Sequence, residues 1–170
     1  MAKIDVEFQY TKEEYVRGHR KQMLASGAIK KRDIIIVPAI LLFAIVYHFF
    51  IEQTSLGAIL LGLSFVVFGM GAMLYLYVPY RTYRLTPKLL ETHHLTINDS
   101  GIHFKTPTEN ATFKWNMYKE LWESREFYFL VQGKKQFRML PKRAFSDYQQ
   151  KEFAKLIEAH AFEFEKVRNI

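Results

Sequence analysis

The histidines are the first residues to weigh for chemistry. His93 and His94 are adjacent, and on a strand adjacent side chains point to opposite faces, so they cannot share a metal. A zinc site needs at least three converging ligands, and His103 has no carboxylate at a useful spacing. With no cysteine in the chain there is no thiolate site, no disulfide framework and no thiol nucleophile. No glycine-rich phosphate loop exists, because Gly69 and Gly71 fall inside an apolar segment. The serines have no neighbouring His/Asp pattern. The sequence thus implies no catalytic residue, no cofactor and no metal, and the chain is expected not to be an enzyme. Trp115, Trp122, Phe127 and Phe129 read as the core of a small sheet rather than a stacking platform. The basic balance, 24 Lys+Arg against 17 Asp+Glu, raises nucleic acid as a partner. The charges are scattered over both sides of the strands, however, and nucleic-acid binding is not expected.

One pair keeps a chemical use. Lys142 and Arg143 follow Pro141 and precede Ser146, which with Gln149 makes a capping box that opens a helix. Cations there lie near the positive end of a helix dipole, which disfavours them. Converging with the free N–H groups of the helix start, they would form an anion site for a phosphate headgroup or a partner's carboxylate. Lys142 and Arg143 are therefore the candidate anion or partner contact, with Phe145 anchoring the turn.

The element that positions everything else is apolar. The runs Ile34–Ile51 and Leu56–Val78 contain no Lys, Arg, Asp or Glu. At ~1.5 Å rise per helical residue they span roughly 27 and 34 Å, against a hydrocarbon core of about 30 Å. Only Glu52-Gln53-Thr54-Ser55 separates them, so they are expected to form a transmembrane helical hairpin. Lys30, Lys31 and Arg32 precede the first run, Arg81, Arg84 and Lys88 follow the second, and the loop holds only Glu52. Basic residues beside spans stay cytoplasmic, so both termini are expected on the cytoplasmic side of the cell membrane. The same cations are suited to anionic lipid. Ala58, Gly62, Gly69 and Ala72 share one face of the second helix, where small residues allow close approach in lipid. Packing against the first helix is the expected use of that face, and a homo-oligomer contact is the alternative. The apolar segment starts after residue 33 with no small-residue cleavage site behind it, so no cleavable leader is expected.

Around the hairpin the periodicity changes. Ile4–Tyr10 alternates as a half-buried strand, and Thr11 with Glu14 reads as a capping box opening a helix to about Ser26, stopped by Gly27. An isolated strand cannot satisfy its backbone, so this one is expected to pair with a C-terminal sheet. After a helical continuation broken near Pro87, strands are expected at His94–Ile97, Ile102–Thr106, Ala111–Trp115, Leu121–Ser124, Phe127–Val131 and Gln136–Leu140. Asn98–Gly101, Pro107–Asn110 and Gln132–Lys135 supply turns. A final helix carries Phe153, Leu156, Ile157, His160 and Phe164 as one stripe. The fold class is therefore an α+β membrane protein. Residues 1–33 form a strand and amphipathic helix, 34–78 the hairpin, and 79–170 a cytoplasmic antiparallel sandwich or partial barrel capped by its C-terminal helix.

This order resembles the YcxB-like family of bacterial membrane proteins. The resemblance rests on Thr96-Ile97-Asn98-Asp99-Ser100-Gly101-Ile102, Phe113-Lys114-Trp115, Glu126-Phe127-Tyr128-Phe129-Leu130 and Leu140-Pro141-Lys142-Arg143-Ala144-Phe145. After Trp115, Asn116-Met117-Tyr118 departs from the more acidic, aliphatic turn of the family. The resemblance implies a pleckstrin-homology-like C-terminal domain and brings no catalytic residues. Phosphoinositide-binding members of that domain type carry basic residues in the turn between their first two strands. Asn98-Asp99-Ser100-Gly101 has none. The expected function is a membrane-anchored interaction or regulatory module with a protein partner and the bilayer as its contacts. An immunity protein that neutralises a membrane-active toxin is the alternative. A transporter component would need polar residues clustered in the hairpin, and these are absent.

Overall fold

The computed structural model describes residues 3–51, 55–133, 136–160 and 164–170. The chain divides into two compact units, residues 1–18 with 85–170, and residues 19–84. The chain is α+β, with two long apolar helices and two separate sheets.

In the first unit, β1 (Ile4–Phe8) pairs antiparallel with β2 (His93–Asn98), setting Ile4 opposite Ile97 and Val6 opposite Leu95. The N-terminal strand therefore joins the C-terminal sheet, which satisfies its backbone. β3 (Gly101–Lys105) and β4 (Asn110–Phe113) complete an antiparallel sheet in the order β1-β2-β3-β4. The β2–β3 turn needs glycine, since Gly101 has φ +141° and a Cβ there would meet the Phe113 carbonyl at 2.2 Å. The second sheet runs β7 (Gln136–Pro141), β6 (Phe127–Gly133), β5 (Glu120–Glu123), β8 (Lys166–Asn169). β8 adds parallel to β5, a strand that the sequence pattern did not give. Residues 134 and 135 of the expected Gln132–Lys135 turn lie outside the described residues.

Two sheets rather than a closed barrel result. Helix α5 (Asp147–Ala159) packs fully buried Phe153 onto Trp115, Tyr128 and Phe145, with ring centroids 6.5, 4.9 and 5.4 Å away. Its capping box is complete: Ser146 Oγ accepts from Gln149 N–H at 3.2 Å, and Gln149 Oε1 accepts from Ser146 N–H at 2.9 Å. The helix ends at Ala159, so Phe164 is not part of its stripe. Phe164 instead meets the Trp115 ring edge-on, and His160 stacks on it.

Helix α1 (Lys12–Ala25) starts as expected, with Thr11 Oγ1 accepting from Glu14 N–H, and the turn that follows it contains Gly27 with φ +75°. Only half of the Thr11–Glu14 capping box forms, because the Glu14 carboxylate turns to an arginine instead. Gly18 lets α1 approach β7, since a Cβ there would stand 1.9 Å from Met139 Sδ.

In the second unit, α2 (Asp33–Val46) continues through a π-helical turn, Tyr47–Ile51. Helix α3 (Ser55–Ala72) continues through a second π turn, Met73–Tyr77, into α4 (Val78–Leu85). Glu52, Gln53 and Thr54 of the expected loop lie outside the described residues. Both helices are apolar on every side and long enough to cross a membrane. Their large side chains point outward, as at Phe50 with 82% exposure and Ile35 with 73%.

Candidate functional site

In the sandwich, several charged side chains pair with one another. Arg143 lies in the turn after β7. Its Nε donates to Glu14 Oε1 at 2.7 Å, and its Nη2 donates to Glu14 Oε2 and the Gln9 carbonyl, each at 2.8 Å. Such forked pairs are the strong form of the interaction, and Glu14 hydrogen bonding holds the guanidinium above its ordinary pKa. Lys142 Nζ donates to Glu123 and stands 4.6 Å from the Tyr128 ring centre. The two cations therefore diverge to separate carboxylates instead of converging on the start of α5. Phe145 anchors the turn between Tyr128 and Phe153.

A second cluster lies where the sheets face each other. The Arg138 guanidinium sits 4.2 and 4.1 Å from the Phe104 and Phe113 ring centres and donates to Glu109 at 3.0 Å. Hydrogen bonding from Arg138 holds the Glu109 carboxyl below its usual range, and Lys88 adds to the effect. His93 stacks on Phe8 at 5.3 Å and contacts Tyr10 edge-on. Burial pushes its pKa down, against the raising effect of Glu91. Tyr10 donates to the Met139 carbonyl and ties β1's end to β7. His94 points the other way, to Glu7 at 3.3 Å, and His103 meets Thr112. Trp115, Trp122, Phe127 and Phe129 are all buried. Among the described residues no three His, Cys, Asp or Glu form a metal-sized group.

The helical unit is different. Lys30, Lys31, Arg32, Arg81 and Arg84 flank its apolar helices, and only Arg32 has an ion-pair partner among the described residues, Asp33 at 3.5 Å. Arg20 caps a defect. Pro79 has no N–H for the Tyr75 carbonyl four residues back, and Arg20 Nε donates to that carbonyl at 3.0 Å. Its guanidinium also lies 5.1 Å from the Tyr75 ring centre.

The expected packing face of α3 is displaced. Ala58, Gly62 and Gly69 are exposed. The residues screened from solvent are Gly57, Leu61, Ser64, Gly71 and Tyr75, one position round, with Ala72 at their margin. Facing them on α2 is the row Val37, Leu41 and Ala44. Alternating steps of four and three residues make this the seam of two helices packed at a shallow angle.

Between α2 and α3 an apolar groove of about 400 Å³ remains, lined among others by Ile34, Val37, Pro38, Phe68, Gly71 and Leu74. Glu109, Arg138 and Arg20 were not singled out from the sequence, and Glu14 was read only as a capping residue. Pro79 inside a helical run was the one available signal, pointing to an orphaned carbonyl at Tyr75.

No curated protein and no solved structure matches the chain. Residues 97–157, from the end of β2 into α5, match the family model described as YcxB-like protein.

Proposed function

We propose that the chain is a membrane-anchored, non-catalytic interaction or regulatory module. The hairpin sits in the cell membrane, and both termini and the pleckstrin-homology-like sandwich lie on the cytoplasmic side. One observation carries this reading. In the most apolar 18-residue stretch of each long helix, only 6% and 0% of the residues are buried. A core helix of a water-soluble protein covers its apolar surface, whereas a helix apolar on all sides and uncovered fits a lipid solvent. The cations flanking the hairpin supply the cytoplasmic bias. Two sheets closed by one amphipathic helix support the pleckstrin-homology-like assignment. Pairing of Arg143 with Glu14, Arg138 with Glu109 and Lys142 with Glu123 gives these side chains structural roles, in keeping with a module that binds a partner.

Because the chain has no cysteine, single thiols report topology directly. Ser55→Cys is expected to react with an impermeant maleimide in intact cells, and Lys151→Cys only after lysis. The reverse pattern would place the sandwich outside and overturn the reading.

A further inference from the structure

The groove between α2 and α3 is a flaw in helix packing with an identifiable cause. Gly71 offers no side chain toward it, and a Cβ there would meet nothing within 4 Å. Across from it stands Pro38, and the π turn Met73–Tyr77 borders it. At about 400 Å³, it falls within the roughly 300–1,000 Å³ of ordinary ligand sites. Its lining is apolar apart from Asp33 and Tyr75. Asp33 is offset by Arg32 at 3.5 Å, and Arg20 stands over Tyr75.

The charge beside the groove selects its occupant. Lining residues Ala28 and Ile29 lead directly into Lys30 and Lys31, followed by lining residues Asp33 and Ile34. Lys30 and Lys31 are exposed and form no ion pair with a described residue. An apolar slot ending beside unpaired cations matches a molecule with a hydrocarbon chain and an anionic head. We infer that the groove holds an acyl chain of one anionic phospholipid, with Lys30 and Lys31 on its phosphate and Arg20 beside them. This rests on the membrane-anchored reading and adds a defined lipid site to it. Shape holds the chain, since surrounding lipid is equally apolar, and charge supplies the preference for an anionic head.

The test reconstitutes the full chain in nanodiscs of phosphatidylglycerol and phosphatidylcholine with identical acyl chains, then counts retained lipid by native mass spectrometry. One phosphatidylglycerol per chain is expected, preferred at least tenfold. Gly71→Leu, which fills the groove, is expected to cut retention about tenfold. Gly69→Leu, on the open face of the same helix, is expected to leave it unchanged. Lys30→Gln with Lys31→Gln is expected to abolish the preference while the chain still incorporates. Equal retention of both lipids, or equal effects of the two leucine variants, would overturn the site. Incorporation without retained lipid overturns this inference alone, whereas failure to enter either nanodisc overturns the membrane reading with it.

Discussion

The sandwich and the hairpin use the same kinds of side chain in opposite ways. In the sandwich, Ile97, Ile102, Phe129 and Phe153 are fully buried, whereas the hairpin turns Ile35, Phe43 and Phe50 outward. Charge differs by degree, since among the described residues the sandwich too leaves Lys105, Lys114, Arg125 and Lys151 without an ion pair. The sandwich pairs Arg143 with Glu14, Arg138 with Glu109, Lys142 with Glu123 and Arg168 with Glu120. The hairpin leaves Lys30, Lys31, Arg81 and Arg84 unpaired among the described residues. Under the proposed membrane anchoring, the opposite treatment of apolar side chains corresponds to two solvents, water for the sandwich and lipid for the hairpin.

The contrast is broken most sharply by truncating a phenylalanine in each region. Phe153→Ala is expected to destabilise the sandwich by about 3–5 kcal/mol, the cost of lost burial and a cavity. This is measured by thermal unfolding of the full chain in detergent. Phe65→Ala, on the open face of α3, is expected to leave that transition within about 0.5 kcal/mol of wild type. Next in size is the Arg143–Glu14 fork. Glu14 is only 5% exposed, so Arg143→Ala leaves a desolvated carboxylate and is expected to cost about 1–3 kcal/mol. Lys155→Ala, which removes an exposed partner of Glu152, is expected to cost less than about 1 kcal/mol.

The smallest effect is pH dependence. His93 has its pKa lowered by burial, so below its unfolded value of about 6.5 the unfolded chain binds a proton that the folded chain refuses. Stability is then complete above pH 6.5 and falls as the pH drops toward the folded value. His93→Gln is expected to flatten the melting temperature between pH 7 and 5. The lowered Glu109 carboxyl contributes in the opposite range, stabilising above its unfolded value near 4.5 and losing that contribution below it.

What was legible in the sequence follows from locality. Period-two alternation placed six strands to within one or two residues, and Ser146 with Gln149 marked the start of α5. β8 was not legible, because Lys166–Asn169 holds one apolar residue, Val167, and even that is half exposed on an edge. The helix seam was ambiguous for a different reason. With apolar residues all round, glycines on two neighbouring faces look equivalent, and only solvent exposure separates Gly57 and Gly71 from Gly62 and Gly69. The partners of Lys142 and Arg143 were hidden by distance, since Glu14 lies 129 residues before Arg143. No local spacing rule reaches that far.

The two-solvent claim has a direct optical test. The native tryptophans, Trp115 and Trp122, are both buried in the sandwich. Phe65→Trp adds a third indole on the open face of α3, and the protein is reconstituted in liposomes containing phospholipid brominated along its acyl chains. Bromine quenches only on close approach, so the native pair is expected to stay bright while the emission of the introduced indole is strongly quenched and resists aqueous iodide. Quenching of that added emission by iodide, with none from brominated lipid, would place the hairpin in water and contradict the two-solvent reading.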